Sequence, residues 1–403
     1  MKVLVVNAGS SSLKYQLFDT TSGVVLAKGL CDRIGIDGST IEHKQLVSGV
    51  TVKNDVPEMA NHTIATEIVI SYLTDKECGC ISDMSEIEAV GHRIVHGGTY
   101  FTESVLVNDD VMAKLHNCVD LAPLHTPPHI MGIEGCTKAM PNVPQVLVFD
   151  TAFHQTMPAQ AYTYPLPLEM CEELSIRRFG AHGTSHRYVT LEACKLLGKT
   201  EGTKIVTCHL GNGSSISAVK DGKCIDTSMG MTPLAGVLMG TRCGDIDPAV
   251  VTYVMKKTGM TPDDMSDFMN KKCGLLGVSG VSSDCRDVDN AIKEGNERAE
   301  LAISTLAYEI KKYIGSYTAA MGGLDAIVFT AGIGENNANL RARVCNGLEG
   351  LGIKLDPEAN TLGKNGGDIA VLSAEDSKVK IFLIATNEEL MIARDTEALV
   401  SAL

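Results

Sequence analysis

Hydrophobic and polar positions fall into the same order twice along the chain. Residues 2–17, KVLVVNAGSSSLKYQL, read as an apolar run, a turn of small residues and an alternating run. Residues 204–219, KIVTCHLGNGSSISAV, read the same way, and a shift of 202 positions lays Lys2 on Lys204, Val3 on Ile205, Gly9 on Gly211 and Ser12 on Ser214. Each copy predicts a strand, a tight turn and a second strand. The parallel continues downstream: residues 324–334 repeat the pattern of 87–97, a buried strand ending in glycines, and 380–386 repeat 145–151. A unit that recurs in order at this length points to duplicated α/β domains. We expect two related domains facing across a central cleft, one formed by 1–152 plus 387–403 and the other by 153–386. Hinges are expected near 151–153 and 385–387.

Between these strands the pattern switches to helical spacing. Residues 57–74 place Ile64, Ile68 and Leu73 on one face. Asp247-Pro248 is an N-cap with proline at the first helical position, opening a helix through Val254. Leu301, Ile303, Leu306, Ile310, Ile314 and Tyr317 mark a long helix over 297–321, stopped by Gly322-Gly323. Thr386 and Glu389 form a capping box for a C-terminal helix, which is expected to cross back to the first domain. Residues 24–43 alternate and turn at Gly23, Gly35 and Gly38, as further antiparallel strands would.

A chain of 403 residues exceeds the size at which one core keeps growing, which agrees with two domains. The net charge of −14 argues against nucleic-acid binding, which needs basic surface. Thirteen cysteines show no paired Cys-x-x-Cys, and Cys78-Gly79-Cys80 reads as free thiols. Asn7 interrupts the first apolar run before it reaches the length of a signal core. No window approaches about 18 uninterrupted apolar residues, so no membrane span is expected. The expected location is cytoplasmic.

The two turns carry candidate chemistry, because glycine lets the backbone approach a ligand and successive N–H groups can converge on a phosphate. One Gly/Ser hairpin alone is an ordinary β-turn; its repetition suggests two jaws. Arg93, His125, Asp150, His182, Arg242 and Glu388 lie in glycine-rich loops or at element ends. Each alone has a structural reading: a histidine that satisfies hydrogen bonds, an arginine that caps carbonyls, a turn aspartate, a glutamate at a helix start. Together they match what phosphoryl transfer needs, with Asn7, Asp150 and Glu388 as metal-side oxygens and Arg93, Arg242 and His182 as donors. A Walker-type phosphate loop at Leu197-Gly198-Lys199-Thr200 fails, since Ala193 stands where its first glycine belongs and the segment ends a helix.

Residues 5–14, 91–98, 149–154, 178–186 and 209–213 together resemble the acetate kinase family, in order and over essentially the whole chain. That family belongs to the superfamily of acetate and sugar kinases, heat-shock ATPases and actin, whose fold is duplicated. The resemblance implies Mg²⁺, with Mn²⁺ as a substitute, at Asn7 and Glu388. It implies ATP/ADP contacts from Lys14, from His209, Leu210, Gly211, Asn212 and Gly213, from Asp284, Cys285 and Arg286, and from Gly332, Ile333, Gly334, Glu335 and Asn336. Arg93 would hold the acyl substrate with His125, and Val95, Leu124 and Pro233 would line its methyl side. Asp150 would be the active-site acid or base, and His182 and Arg242 would stabilise the transition state. Cys285 departs from the aromatic or apolar residue of many relatives, a change expected to touch adenine packing alone. The implied substrates are acetate and acetyl phosphate, and the implied assembly is a homodimer. Propionate or butyrate kinase and an actin-like conformational ATPase are the rival readings. A carboxylic acid with a reference pKa of about 4 arrives deprotonated near neutral pH, so Asp150 is expected to serve Mg²⁺, directly or through water, and to orient Arg93 or His182 in place of base catalysis.

Overall fold

The computed structural model describes residues 1–56 and 59–403. The chain forms two compact units, Met1–Phe153 with Asn387–Leu403, and His154–Thr386. Among the described residues the first unit carries β1 (Lys2–Ala8), β2 (Ser12–Asp19), β3 (Val24–Asp32), β4 (Thr40–Gln45), β5 (Thr51–Asp55), β6 (Ala89–Ile94), β7 (Val105–Leu106) and β8 (Gln145–Phe149). The second carries β9 (Lys204–Leu210), β10 (Ser214–Lys220), β11 (Lys223–Thr227), β12 (Ala326–Thr330), β13 (Ile369–Val371) and β14 (Lys380–Ile384).

The sheets have strand orders β5-β4-β3-β2-β1-β6-β8-β7 and β11-β10-β9-β12-β14-β13. Six strands correspond one for one, with β1, β6 and β8 parallel in the first sheet and β9, β12 and β14 parallel in the second. Every residue of β8 and β12 is buried, as in parallel strands covered on both faces. This is a duplicated α/β architecture. Parallel strands end together, so each sheet gathers the C-terminal ends of three strands at one edge.

In the second unit the helix Glu297–Met321 buries Ile303, Leu306, Ile310, Ile314 and Tyr317 against the sheet. Leu301, expected on that face, is 58% exposed; two positions before Ile303, it lies on the far side of the helix. Asn296 caps this helix and Gly322 ends it at φ 70°. Asp247 caps Pro248–Thr258 through the Ala249 N–H. The helix expected over 57–74 spans His62–Leu73, capped by Asn61; Pro57 and Glu58 lie outside the described residues. Leu197 does end a helix, with Gly198 left-handed at φ 69°. No helix among the described residues is long and apolar enough to cross a membrane.

The C-terminal helix Glu388–Val400 packs on β1, β6 and β8, with Ile392 and Ala393 against Val3, Val5, Val146 and Val148. Gly91 makes this possible: a Cβ there would sit 2.4 Å from Thr396 Oγ1 and 2.7 Å from Ile392 Cγ2. Its cap differs from expectation. Asn387, not Thr386, accepts from the Leu390 N–H, while the Thr386 hydroxyl bonds Ser185 Oγ at 2.7 Å. Asparagine is at least as good an N-cap as threonine, so the start moves by one residue.

Arg341, 2% exposed, is held by neutral acceptors: Asn360 Oδ1 and O, Gly334 O and Glu335 O, at 2.8–3.0 Å. Burial draws its guanidinium below its ordinary pKa. Arg341→Met should leave three carbonyls and an amide oxygen without their donor and destabilise the second unit by about 3 kcal/mol. Urea unfolding should show a lower midpoint; an unchanged midpoint would mean that these bonds contribute nothing net.

Candidate active site

In the first unit, strand register decides which side chains converge. Val5 pairs with Gly91 and Gly91 with Val146, on the face that the C-terminal helix covers. Two residues further along each strand, the same face presents Asn7, Arg93 and Val148, and two beyond Val148 it presents Asp150. The helix begins at Glu388 beside them. Asp150 follows β8, fixed by its N–H to Ile94 O at 2.8 Å. Arg93 Nη2 donates to Asp150 Oδ2 at 2.6 Å and Nε to Oδ1 at 3.4 Å. Asp150 is 1% exposed, whereas the Arg93 side chain keeps 22% of its surface open.

The charges around this pair are unbalanced. Asp150, with Glu388 and Glu389, lifts Arg93 above its ordinary pKa. Burial, opposed by Arg93 and reinforced by Asp150 and Glu389, pushes Glu388 up to about 7. Three carboxyl groups thus share one guanidinium, a surplus of negative charge that a divalent cation would offset. No cluster of three or more His, Cys, Asp or Glu among the described residues forms a ready-made metal cage. Asn7 and Glu389 also line a cavity of about 260 Å³ with Lys14, the cross-strand partner of Asn7.

In the second unit, the β9–β10 turn meets two side chains. His182 precedes the helix Gly183–Leu197 in the left-handed region at φ 59°, a conformation that holds only where the surroundings enforce it. Its Nδ1 is 2.9 Å from Ser215 Oγ, which also lies 2.7 Å from His186 Nε2. Burial keeps His186 well below its ordinary pKa, hence neutral. The single Ser215 proton can serve only one of these rings. His182 stacks on His209 at 4.1 Å, and His209 Nδ1 meets Ser185 Oγ at 2.8 Å. A Cβ on Gly213 would come 3.3 Å from Arg242 Nη1 and 3.5 Å from His182 Nε2, so glycine brings the turn against both. Arg242 donates to Pro233 O at 2.9 Å, and burial lowers its pKa. With no carboxylate partner among the described residues, it is ready for an external anion.

A cavity of about 640 Å³ in the same unit is lined by Gly211, Asn212, Asp284, Cys285, Arg286, Gly332, Ile333 and Asn336, together with Ser283, Asp289 and Asn337. Eight sequence-derived nucleotide candidates therefore share one cavity. His209, Leu210, Gly213, Gly334 and Glu335 stand outside its lining; Leu210 is buried in the core, and Glu335 pairs with Lys364 at 2.6 Å. Lys14 belongs to the first unit. Of the acyl candidates, Val95 is half-buried and His125 exposed, Leu124 is 74% exposed, and Pro233 lies in the second unit. Asp289 and Asn337 escaped the sequence reading. Asp289 is four residues beyond Cys285, on the same helical face, which was the signal available for it.

The acetokinase family pattern matches residues 2–394. An acetate kinase of Thermoanaerobacter pseudethanolicus is 57% identical over the full length of both chains. The crystal structure of Porphyromonas gingivalis acetate kinase is 48% identical and covers 99% of each chain, with a TM-score of 0.95. That of a propionate kinase from Francisella tularensis is 40% identical over 99% of each chain, with a TM-score of 0.90. Likeness of this extent, in sequence and in fold from end to end, makes the chain a member of the acetokinase family.

Proposed function

We propose that the protein transfers the γ-phosphoryl group of ATP to acetate, reversibly, giving acetyl phosphate and ADP. An acetate oxygen forms the new bond to γ-phosphorus as the bond to the β,γ-bridging oxygen breaks, and ADP leaves with that electron pair. The observation that carries this reading is the Arg93–Asp150 pair. A guanidinium fixed along one edge by a buried carboxylate keeps its other edge for a second carboxylate. The names of the full-length relatives support acetate as that carboxylate.

In this reading Arg93 binds acetate, and Asp150 orients Arg93. Asp150 has no proton to remove, because acetate is ionised near neutral pH. Arg242, with no carboxylate partner among the described residues, and His182, tied back through Nδ1, meet charge on the migrating phosphoryl group. The β9–β10 turn and the 640 Å³ cavity hold the nucleotide. Asn7 and Glu388 would hold Mg²⁺, with Asp150 nearby, and Mg²⁺ there would neutralise phosphate charge. The protein would work in the cytoplasm, as a homodimer.

A second substrate is favoured by the propionate kinase among the structural neighbours. An extra methylene in an apolar pocket changes discrimination by only about 10- to 200-fold. Mixing protein, ATP, Mg²⁺ and hydroxylamine with acetate, propionate or butyrate should yield acyl hydroxamate, fastest with acetate and partially with propionate. No hydroxamate from any of them would overturn the proposal, and a faster rate with propionate would exchange the substrates.

The two arginines should differ kinetically. Arg93→Ala should raise the acetate KM about 10- to 100-fold, whereas Arg242→Ala should lower kcat about 100- to 1,000-fold. Lysine should restore neither fully. The same signature in both variants would remove the division of labour. Asp150→Asn keeps the shape but removes a charge, so activity should fall at least tenfold with a higher Mg²⁺ requirement. Wild-type Mg²⁺ affinity in that variant, with a lost limb in the kcat–pH profile, would return Asp150 to the role of general base.

A further inference from the structure

The cavity between the helix Cys285–Lys293 and residues 332–337 contains a carboxylate that the proposed phosphoryl chemistry does not use. Asp289 lines it half-buried. Its Oδ2 accepts from Asn337 Nδ2 at 2.6 Å, and the same amide nitrogen lies 3.2 Å from Cys285 Sγ. Asn337 Oδ1 is also occupied, accepting from the Leu340 N–H at 2.9 Å as the cap of the following helix. Asn337 therefore cannot turn, and it presents a fixed donor to Asp289. Two other lining side chains have partners of their own. Asn336 Nδ2 bonds Gly332 O at 2.8 Å, and Arg286, 88% exposed at the rim, pairs with Asp284. Toward a base the cavity offers acceptors at Asp289 Oδ1 and Asn336 Oδ1, beside the amide of Asn212 and the hydroxyl of Ser283.

We propose that Asp289 is a specificity-determining residue whose carboxylate accepts a hydrogen bond from the exocyclic 6-amino group of adenine. The cavity thereby selects a 6-aminopurine nucleotide over its 6-oxo counterpart. This rests on the reading that the cavity takes the nucleotide. A 6-oxo purine would set its carbonyl oxygen against the carboxylate, acceptor facing acceptor, which costs more than a missing bond. Burial raises the pKa of Asp289, while the Asn337 donor and the charges of Lys293 and Arg343 favour its ionised form.

The substitution Asp289→Asn separates this role from a merely structural one. Because Asn337 is a fixed donor, the new amide must turn its oxygen to Asn337 and its NH₂ to the base, a donor that suits a 6-oxo purine. Calorimetry of ADP and IDP binding, without acetate, gives the readout. Wild type should bind ADP on the order of tenfold more tightly than IDP, and Asp289→Asn should bring that ratio to one or below. An unchanged ratio in the variant would mean that Asp289 serves only to hold Asn337. If the variant does not fold, wild type still decides: binding should fall severalfold, less than for IDP, for purine riboside diphosphate, which lacks the amino group without adding a facing acceptor, and affinity equal to that for ADP would overturn the assignment. Wild type that binds neither ADP nor IDP would overturn the nucleotide reading of the cavity itself, whatever its base preference.

Discussion

Asp150 is buried to 1% exposure against the Arg93 guanidinium at 2.6 Å, and the strands of the first unit keep those two groups in register. Removing one partner of such a buried pair typically costs about 3 to 5 kcal/mol, since the other charge is stranded. The pair is set by three adjacent parallel strands, whose alternation puts Asn7, Arg93 and Asp150 on one face. The same face must accept the C-terminal helix so that Glu388 arrives beside them, and Gly91 leaves the room for it. A side chain at Gly91 would therefore act on the chemistry by lifting a helix, without touching a reacting group.

The second unit repeats the topology with other chemistry at the strand ends. Its hairpin turn sits against an arginine with no carboxylate partner among the described residues and a histidine held through serine, which suits anions of changing shape better than a fixed carboxylate would. The first unit pairs its arginine, and the second leaves its arginine open. One duplicated scaffold thus presents, in the proposed function, a preorganised fork for a carboxylate and a set of donors for phosphate.

Much of the fold was legible because both copies face the same burial demand. Strands covered on both faces must be apolar throughout, so β1 and β9, β6 and β12, and β8 and β14 resemble each other in the sequence itself. Helix ends at Asp247 and Gly322 were equally readable, since caps are local. Legibility ended where a second element decides. Leu301 is apolar yet faces outward, and the start of the last helix moved to Asn387 because Ser185 engages the Thr386 hydroxyl. At the candidate site, Arg93 and Asp150 stood out as residues at strand ends, but the sequence left open whether Asp150 orients Arg93 or His182. Asp289 and Asn337 were missed for a like reason: they acquire meaning only when two helices 48 positions apart bring an aspartate to an asparagine already spent on capping.

Transfer of the γ-phosphoryl group is the central claim, and an activated acyl group alone does not prove it, because an acyl adenylate also reacts with hydroxylamine. Phosphorus NMR of the protein with ATP, Mg²⁺ and acetate distinguishes the two by the bond that breaks. Resonances of ADP and acetyl phosphate should grow in equal amounts, without pyrophosphate. Appearance of AMP and pyrophosphate in place of ADP would contradict that claim, because attack would then fall on α-phosphorus and the roles given to Arg242 and His182 would fail.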